Sequence, residues 1–307
     1  MGRFHPQLAR FAHALAASGS GVIVPEVPEW HDLRLDPRVT VPTIQAAVRA
    51  LDAHPRVRAG RFGLIGFSFG APQAVIAANH GELRDRIAAV VSFGGYCDLE
   101  RTMRCQLTGL HEWEGVTHRV DPDPYGRWVL ASNYLTKVPG CEEAGDVADA
   151  LRRLALASSE QRIPAWDPRH DVLKRELRPC PESPRRALFD LLAPMAASQV
   201  DGREESEKLA VDLAAACCRS EPLLDPTSEL RGMRVPIHLF HGRFDRLVPY
   251  TESLRFMRGL PADLAANVTV TGLFAHSADN RPPSISARVR EGAIFFRALR
   301  RMLDSVD

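Results

Sequence analysis

Charge of one sign is what this chain of 307 residues lacks first: 39 Lys and Arg stand against 38 Asp and Glu, a formal net charge of +1. Such a balance argues against a nucleic-acid or anionic-membrane partner held by electrostatics. The basic pairs Arg152-Arg153, Arg185-Arg186 and Arg300-Arg301 lie among acids and read as solvated helix faces. Cysteine motifs are missing too. None of Cys97, Cys105, Cys141, Cys180, Cys217 and Cys218 forms a C-x-x-C pair or a zinc spacing with histidine. Cys217 and Cys218, adjacent in a helix-like stretch, read as buried or half-buried thiols, reduced in a cytoplasmic protein. A long hydrophobic run is also absent. The longest stretch without Asp, Glu, Lys or Arg, residues 62–81, contains Gly63, Gly66, Gly70, Pro72, Gln73 and Asn79. It is a poor membrane span and reads as buried strand, turn and buried helix. At the N-terminus, "HPQLARFAHALAASG" has the spacing of an amphipathic helix, not of a signal peptide.

What is present is an ordinary globular composition, 45% apolar and 25% charged. The length suits one large α/β domain, with or without an insertion. Short apolar runs predict strands at "GVIVPEV" (21–27), "RFGLIGF" (61–67), "IAAVVSF" (87–93), "VPIHLFH" (235–241) and "NVTVTGL" (267–273). Helical patterns at 41–54 and 71–79 separate the first three, which implies a parallel, doubly wound sheet covered on both faces. A last helix over 284–303 is expected to turn Val289, Phe296 and Leu299 inward and its arginines outward. Residues 98–230 break the rhythm. They contain no convincing strand but helical stretches at 124–137, 146–159, 183–199 and 203–219. A structureless loop of that length is implausible, so the region reads as a helical cap insertion over the sheet's carboxyl edge. The core would then comprise residues 1–97 and 231–307.

The chemistry concentrates in "LIGFSFG", residues 64–70, where strand, G-x-S-x-G and helix follow one another as in a nucleophile elbow. Ser68 would occupy a tight, strained turn that lifts its hydroxyl from the sheet edge. Side chains two positions either way are expected to collide with backbone, hence Gly66 and Gly70. The positive end of the following helix would face a developing oxyanion, with the Phe69 N–H as one donor.

In these features the chain resembles the α/β-hydrolase superfamily, nearest in character to its dienelactone-hydrolase-like and esterase branches. The likeness covers residues 5–97 and 231–307. Dienelactone hydrolases carry cysteine at the elbow; Ser68 here follows the serine pattern. The resemblance implies an acid and a histidine later in the chain, in that order. "VPIHLFHGRFDRLVP" (235–249) is similar to the penultimate strand and its loop, which makes Asp245 the acid. "VTVTGLFAHSADN" (268–280) is similar to the last strand and the histidine loop, which makes His276 the general base. Asp98, after the third visible strand, is the alternative acid; its other reading is a helix N-cap. His241 and His238 read as structural. His111 and His118 are either pocket-lining or solvated loop residues.

The resemblance also exposes a departure. Members of the family usually have two or three strands before the helix at 6–17, the last of them leading to the second oxyanion N–H. "MGRFHPQLARFAHAL" lies past that point, and only the backbone near Gly2 or Arg3 is left as a donor. An upstream start codon, a naturally shortened hydrolase and an inactive relative all fit, the first best. Loss of those strands would leave an unpaired edge at "GVIVPEV". The expectation is therefore a serine hydrolase acting on a small-molecule ester, thioester, lactone or amide, with no metal or organic cofactor and no nucleic-acid or membrane partner. A non-catalytic ligand- or partner-binding protein of the same fold, and an acyltransferase, are the alternatives. Oligomeric state is not readable.

Overall fold

The structure is a computed structural model that describes residues 5–57, 60–179, 183–196, 203–273 and 285–305. Helix α1 (Pro6–Ala17) opens the chain and α2 (Pro37–Asp52) follows, its N-terminus capped by the Asp36 carboxylate, which accepts from the Arg38 N–H. Then come β1 (Phe62–Phe67), α3 (Gly70–Asn79) and β2 (Ile87–Phe93). The insertion contributes α4 (Leu99–Thr108), the hairpin β3 (Leu110–Trp113) and β4 (Val116–Arg119), α5 (Tyr125–Tyr134), α6 (Gly145–Gln161), α7 (Asp171–Leu177), α8 (Arg186–Leu192), α9 (Arg203–Ser220) and α10 (Thr227–Leu230). The chain then returns to the sheet with β5 (Ile237–Gly242), α11 (Thr251–Gly259), β6 (Ala266–Thr271) and α12 (Ile285–Asp304).

The sheet runs β1-β2-β5-β6, all parallel, so every strand ends at the same edge. Its interior strands are apolar on both faces because helices cover both: β2 and β5 are buried at every position. One face packs Val75, Ile76, Val90, Leu239 and Phe256 into a core with α2, α3 and α11. On the other, Phe67, Phe93 and Phe240 stand in register on adjacent strands, with ring centroids 4.8 and 4.7 Å apart. Phe11 of α1 and Phe295 of α12 close the ends of this row edge-to-face. A third core lies within the insertion, where Trp128, Leu135, Leu151, Leu154, Phe189 and Leu213 are fully buried.

Four expectations need correction. Residues 21–27 form no strand: they pair with no described strand, and Val22–Val27 and Phe62–Phe67 both line an apolar cavity of about 370 Å³. Strand propensity makes a ladder only where a partner backbone comes within hydrogen-bonding distance, and none of the described strands does so here. The insertion does contain strands, since β3 and β4 turn back through Glu114 and Gly115, both at positive φ, as a two-residue hairpin turn requires. The insertion also holds α4 and α7, which the helical patterns did not mark. On α12, Val289 and Phe296 are 68% and 72% exposed. The buried stripe is Glu291, Phe295, Ala298, Leu299 and Met302, half a turn away, because Phe240 on β5 receives Phe295. The arginines of that helix whose side chains are described do face water.

Candidate active site

Ser68 is the first residue after β1 and has φ +51°, the left-handed region that a side chain with a Cβ rarely adopts. Two backbone hydrogen bonds hold the turn: Ser68 N–H donates to Phe93 O at 2.8 Å, and Ala71 N–H donates to Ser68 O at 2.9 Å. Gly66 is required here by contact. A Cβ on it would stand 2.3 Å from the Gly70 oxygen and 2.5 Å from the Ala71 Cα. Gly70 is not. A Cβ there would meet only the Trp30 ring, at an ordinary 3.5 Å, which corrects the symmetrical reason expected for the two glycines. Phe69, at the head of α3, rests edge-to-face on Trp30 and packs against the insertion's core.

Asp245 lies on the loop after β5, at the same edge, with β2 between its strand and that of Ser68. It is buried, and its Oδ1 accepts from the N–H groups of Leu247 and Val248 at 2.9 and 3.0 Å. Beneath it His241 is fully buried, bonded through Nδ1 to Ser253 Oγ (2.7 Å) and through Nε2 to Val248 O (2.9 Å), with that Nε2 3.8 Å from Asp245 Oδ2. His276 lies outside the described residues, as do Gly2, Arg3 and Cys180; the chain is described as far as Leu273, just past the end of β6 at the same edge.

Asp98 has another task. It caps α4, accepting from the Arg101 N–H at 2.8 Å and pairing with the Arg101 guanidinium at 2.9 Å. The loop that leads to it is pinned by Glu252, whose Oε2 accepts from the N–H groups of Cys97 and Asp98 while its Oε1 takes Arg101 Nε. Burial raises the Glu252 carboxyl above its ordinary range, against the pull of Arg101. Burial likewise pushes up the thiols of Cys97, Cys105 (to about 12), Cys217 and Cys218 (to about 11), so none is a ready nucleophile. His238 is a satisfied core residue, bonded to Asn267 and Ser305. His111 and His118 face each other across the β3–β4 hairpin, stacked at 5.0 Å with Tyr250 against both. Among the described residues no three His, Cys, Asp or Glu side chains converge as for a metal ion, and no helix is long and apolar enough to cross a membrane.

The sequence reading missed Gln106, Asp121, Asp123 and Trp166, all from the insertion and all touching the Asp245 loop. Arg246 donates to Asp121 O at 2.6 Å, pairs with its carboxylate and lies 4.9 Å over the Trp166 ring; Asp123 N–H donates to Arg246 O at 2.8 Å. No local pattern marks these residues, because their partners are 80 or more positions away.

The fold and the turn at Ser68 define a class: an α/β protein of parallel strands with a serine at positive φ between a strand and a helix, at the carboxyl edge of its sheet. No family model matches the chain, and no curated protein matches it. Similar solved structures include a 2-hydroxy-6-oxo-6-phenylhexa-2,4-dienoate hydrolase from Rhodococcus sp. strain RHA1, at 15% identity over 86% of this chain and 70% of that one, with a TM-score of 0.39. A thermophilic esterase from Thermogutta terrifontis is 15% identical over 93% and 75%, with a TM-score of 0.38. An alpha/beta hydrolase from a Medee basin deep-sea metagenome library is 13% identical over 86% and 73%, with a TM-score of 0.39.

Proposed function

We propose that the chain is a serine hydrolase that cleaves an ester, thioester, lactone or amide through an acyl-enzyme. The Ser68 oxygen bonds to the acyl carbon while His276 takes its proton, and the Phe69 N–H stabilises the oxyanion. Breakdown of that intermediate expels the leaving group, which takes the proton from His276. Water then attacks the acyl-enzyme with the same histidine as base, releasing the acid and free Ser68. Asp245 holds the imidazole in the tautomer that accepts from serine. Residues 98–230 act as the cap over this edge.

One observation carries the reading: a serine held at positive φ between a parallel strand and a helix. Backbone strain of this kind costs of order 1–3 kcal/mol, persists where the surroundings enforce it, and clusters at functional sites. The test is labelling of the folded chain with a fluorophosphonate, mapped by mass spectrometry. Label is expected on Ser68 and on no other residue. Ser68→Ala should lower turnover by up to ~10⁶, and Asp245→Asn by ~10⁴. A folded chain that takes no label, or takes it elsewhere, would sink the proposal.

A further inference from the structure

We propose that Gln106, in the insertion, is a positioning residue for the acid Asp245; this rests on the serine-hydrolase reading above. Three consecutive carbonyls of the acid loop are each held by a different partner. Arg246 O accepts from the Asp123 N–H, Leu247 O from Gln106 Nε2 at 3.0 Å, and Val248 O from His241. The N–H groups of Leu247 and Val248 turn the other way, onto Asp245 Oδ1. The peptide between Leu247 and Val248 therefore joins Gln106 on one side to the carboxylate on the other. Its tilt decides where Asp245 Oδ2 sits.

Gln106 is built for that grip and poorly built for anything else. It is 3% exposed on the inner face of α4, and its Oε1 is buried without a hydrogen-bond partner, a cost of about 1–3 kcal/mol that an apolar residue would avoid. Its own carbonyl is fixed by the buried Arg127, which donates to Gln106 O at 2.7 Å and to Leu192 O at 2.8 Å. Space for its amide is left by Gly126 of α5, where a Cβ would stand 2.3 Å from Gln106 Nε2. The titratable and charged groups that face the loop are His241, Cys105, Asp123 and the Arg246–Asp121 pair, with Arg127 behind Gln106; the changes at Gln106 and Gly126 replace none of them.

The test compares rates of fluorophosphonate labelling at Ser68, as a function of pH, for the wild-type chain, Gln106→Met, Gly126→Ala and the double variant, with melting temperature followed alongside. Gln106→Met removes the donor at similar volume. Gly126→Ala displaces the amide from a different helix and keeps the test open if the first variant fails to fold. A displaced carboxylate orients the imidazole less well. Both folded variants are therefore expected to label about 10- to 100-fold more slowly than wild type, the cost typical of a displacement near 1 Å. The apparent pKa of the base should fall, because its imidazolium loses part of its anionic partner. The double variant should be no slower than the slower single one, since both break the same bond. A folded variant with a lower melting temperature but wild-type rate and pH profile overturns the positioning role. A wild-type chain that takes no label overturns the hydrolase reading instead, and this inference with it.

Discussion

β1 and β5 are both six residues long, both parallel to β2, and both end at the edge where the candidate nucleophile and acid are found. They are otherwise opposites. β5 lies between two strands, is buried at every position, and leads into a loop whose carbonyls and carboxylate are all engaged. Among the described residues β1 has a strand on one side only; it faces a cavity with the other and leaves Phe67 39% exposed. Asp245 is thus positioned by many hydrogen bonds on a closed strand. Ser68 is positioned by a strained turn on an open one. An edge strand can tolerate this because the turn is held from the inner side, by Phe93 O and by the close packing of Gly66 on Ala71.

The largest test of that contrast is truncation of the aromatic row. Phe240→Ala on β5 should cost about 3–5 kcal/mol, the usual loss for a fully buried phenylalanine. Phe67→Ala on β1 should cost roughly 1–2 kcal/mol, because part of that ring is already in water. Chemical denaturation measures both, and equal losses would break the distinction. The elbow gives the next largest effect. Gly66→Ala forces a Cβ against backbone and should cost about 1–3 kcal/mol together with labelling at Ser68. Gly70→Ala should stay within about 0.5 kcal/mol and keep its label. If the two glycines behave alike, the turn is not held as described.

The smallest effect lies on the acid side, where His111 bonds to Thr251 at the start of α11. Burial first, then His118 and Arg255, lower its pKa to about 4. Between pH 6.5 and about 4 the unfolded chain therefore holds more protons at this position than the folded one. The stability linked to neutral His111 is present above pH 6.5 and is lost as the pH falls through that window. His111→Gln should flatten the dependence of melting temperature on pH there. An unchanged slope would remove His111 from the account.

Much of the sheet was legible because its signal is local. The run "IAAVVSF" predicts residues 87–93, and β2 occupies those residues. The patterns for β1, β5, β6 and α3 are each met within two residues. The elbow was legible for the same reason: strand, glycine, serine and helix are consecutive, and the strain at Ser68 is internal to them. The β3–β4 hairpin had a readable signal that was passed over, the Glu114-Gly115 turn between His111, Trp113, Val116 and His118. Asp98 takes the helix-cap reading, one of the two its place in the sequence allows, whereas Gly70 lacks the collision expected of it.

What the sequence determined by itself was the four strands of the sheet, the helix after β1 and the turn at Ser68, because periodicity, capping and steric strain act between residues a few positions apart. Only the tertiary structure decided which elements meet. Val22–Val27 has the composition of a strand, and no described strand pairs with it. Helix α12 offers two apolar stripes and buries the one that Phe240 can receive. Gln106 reaches Leu247 across 141 positions. Such contacts depend on how whole faces pack and on which backbone groups are left to be satisfied. No short stretch of chain carries that information.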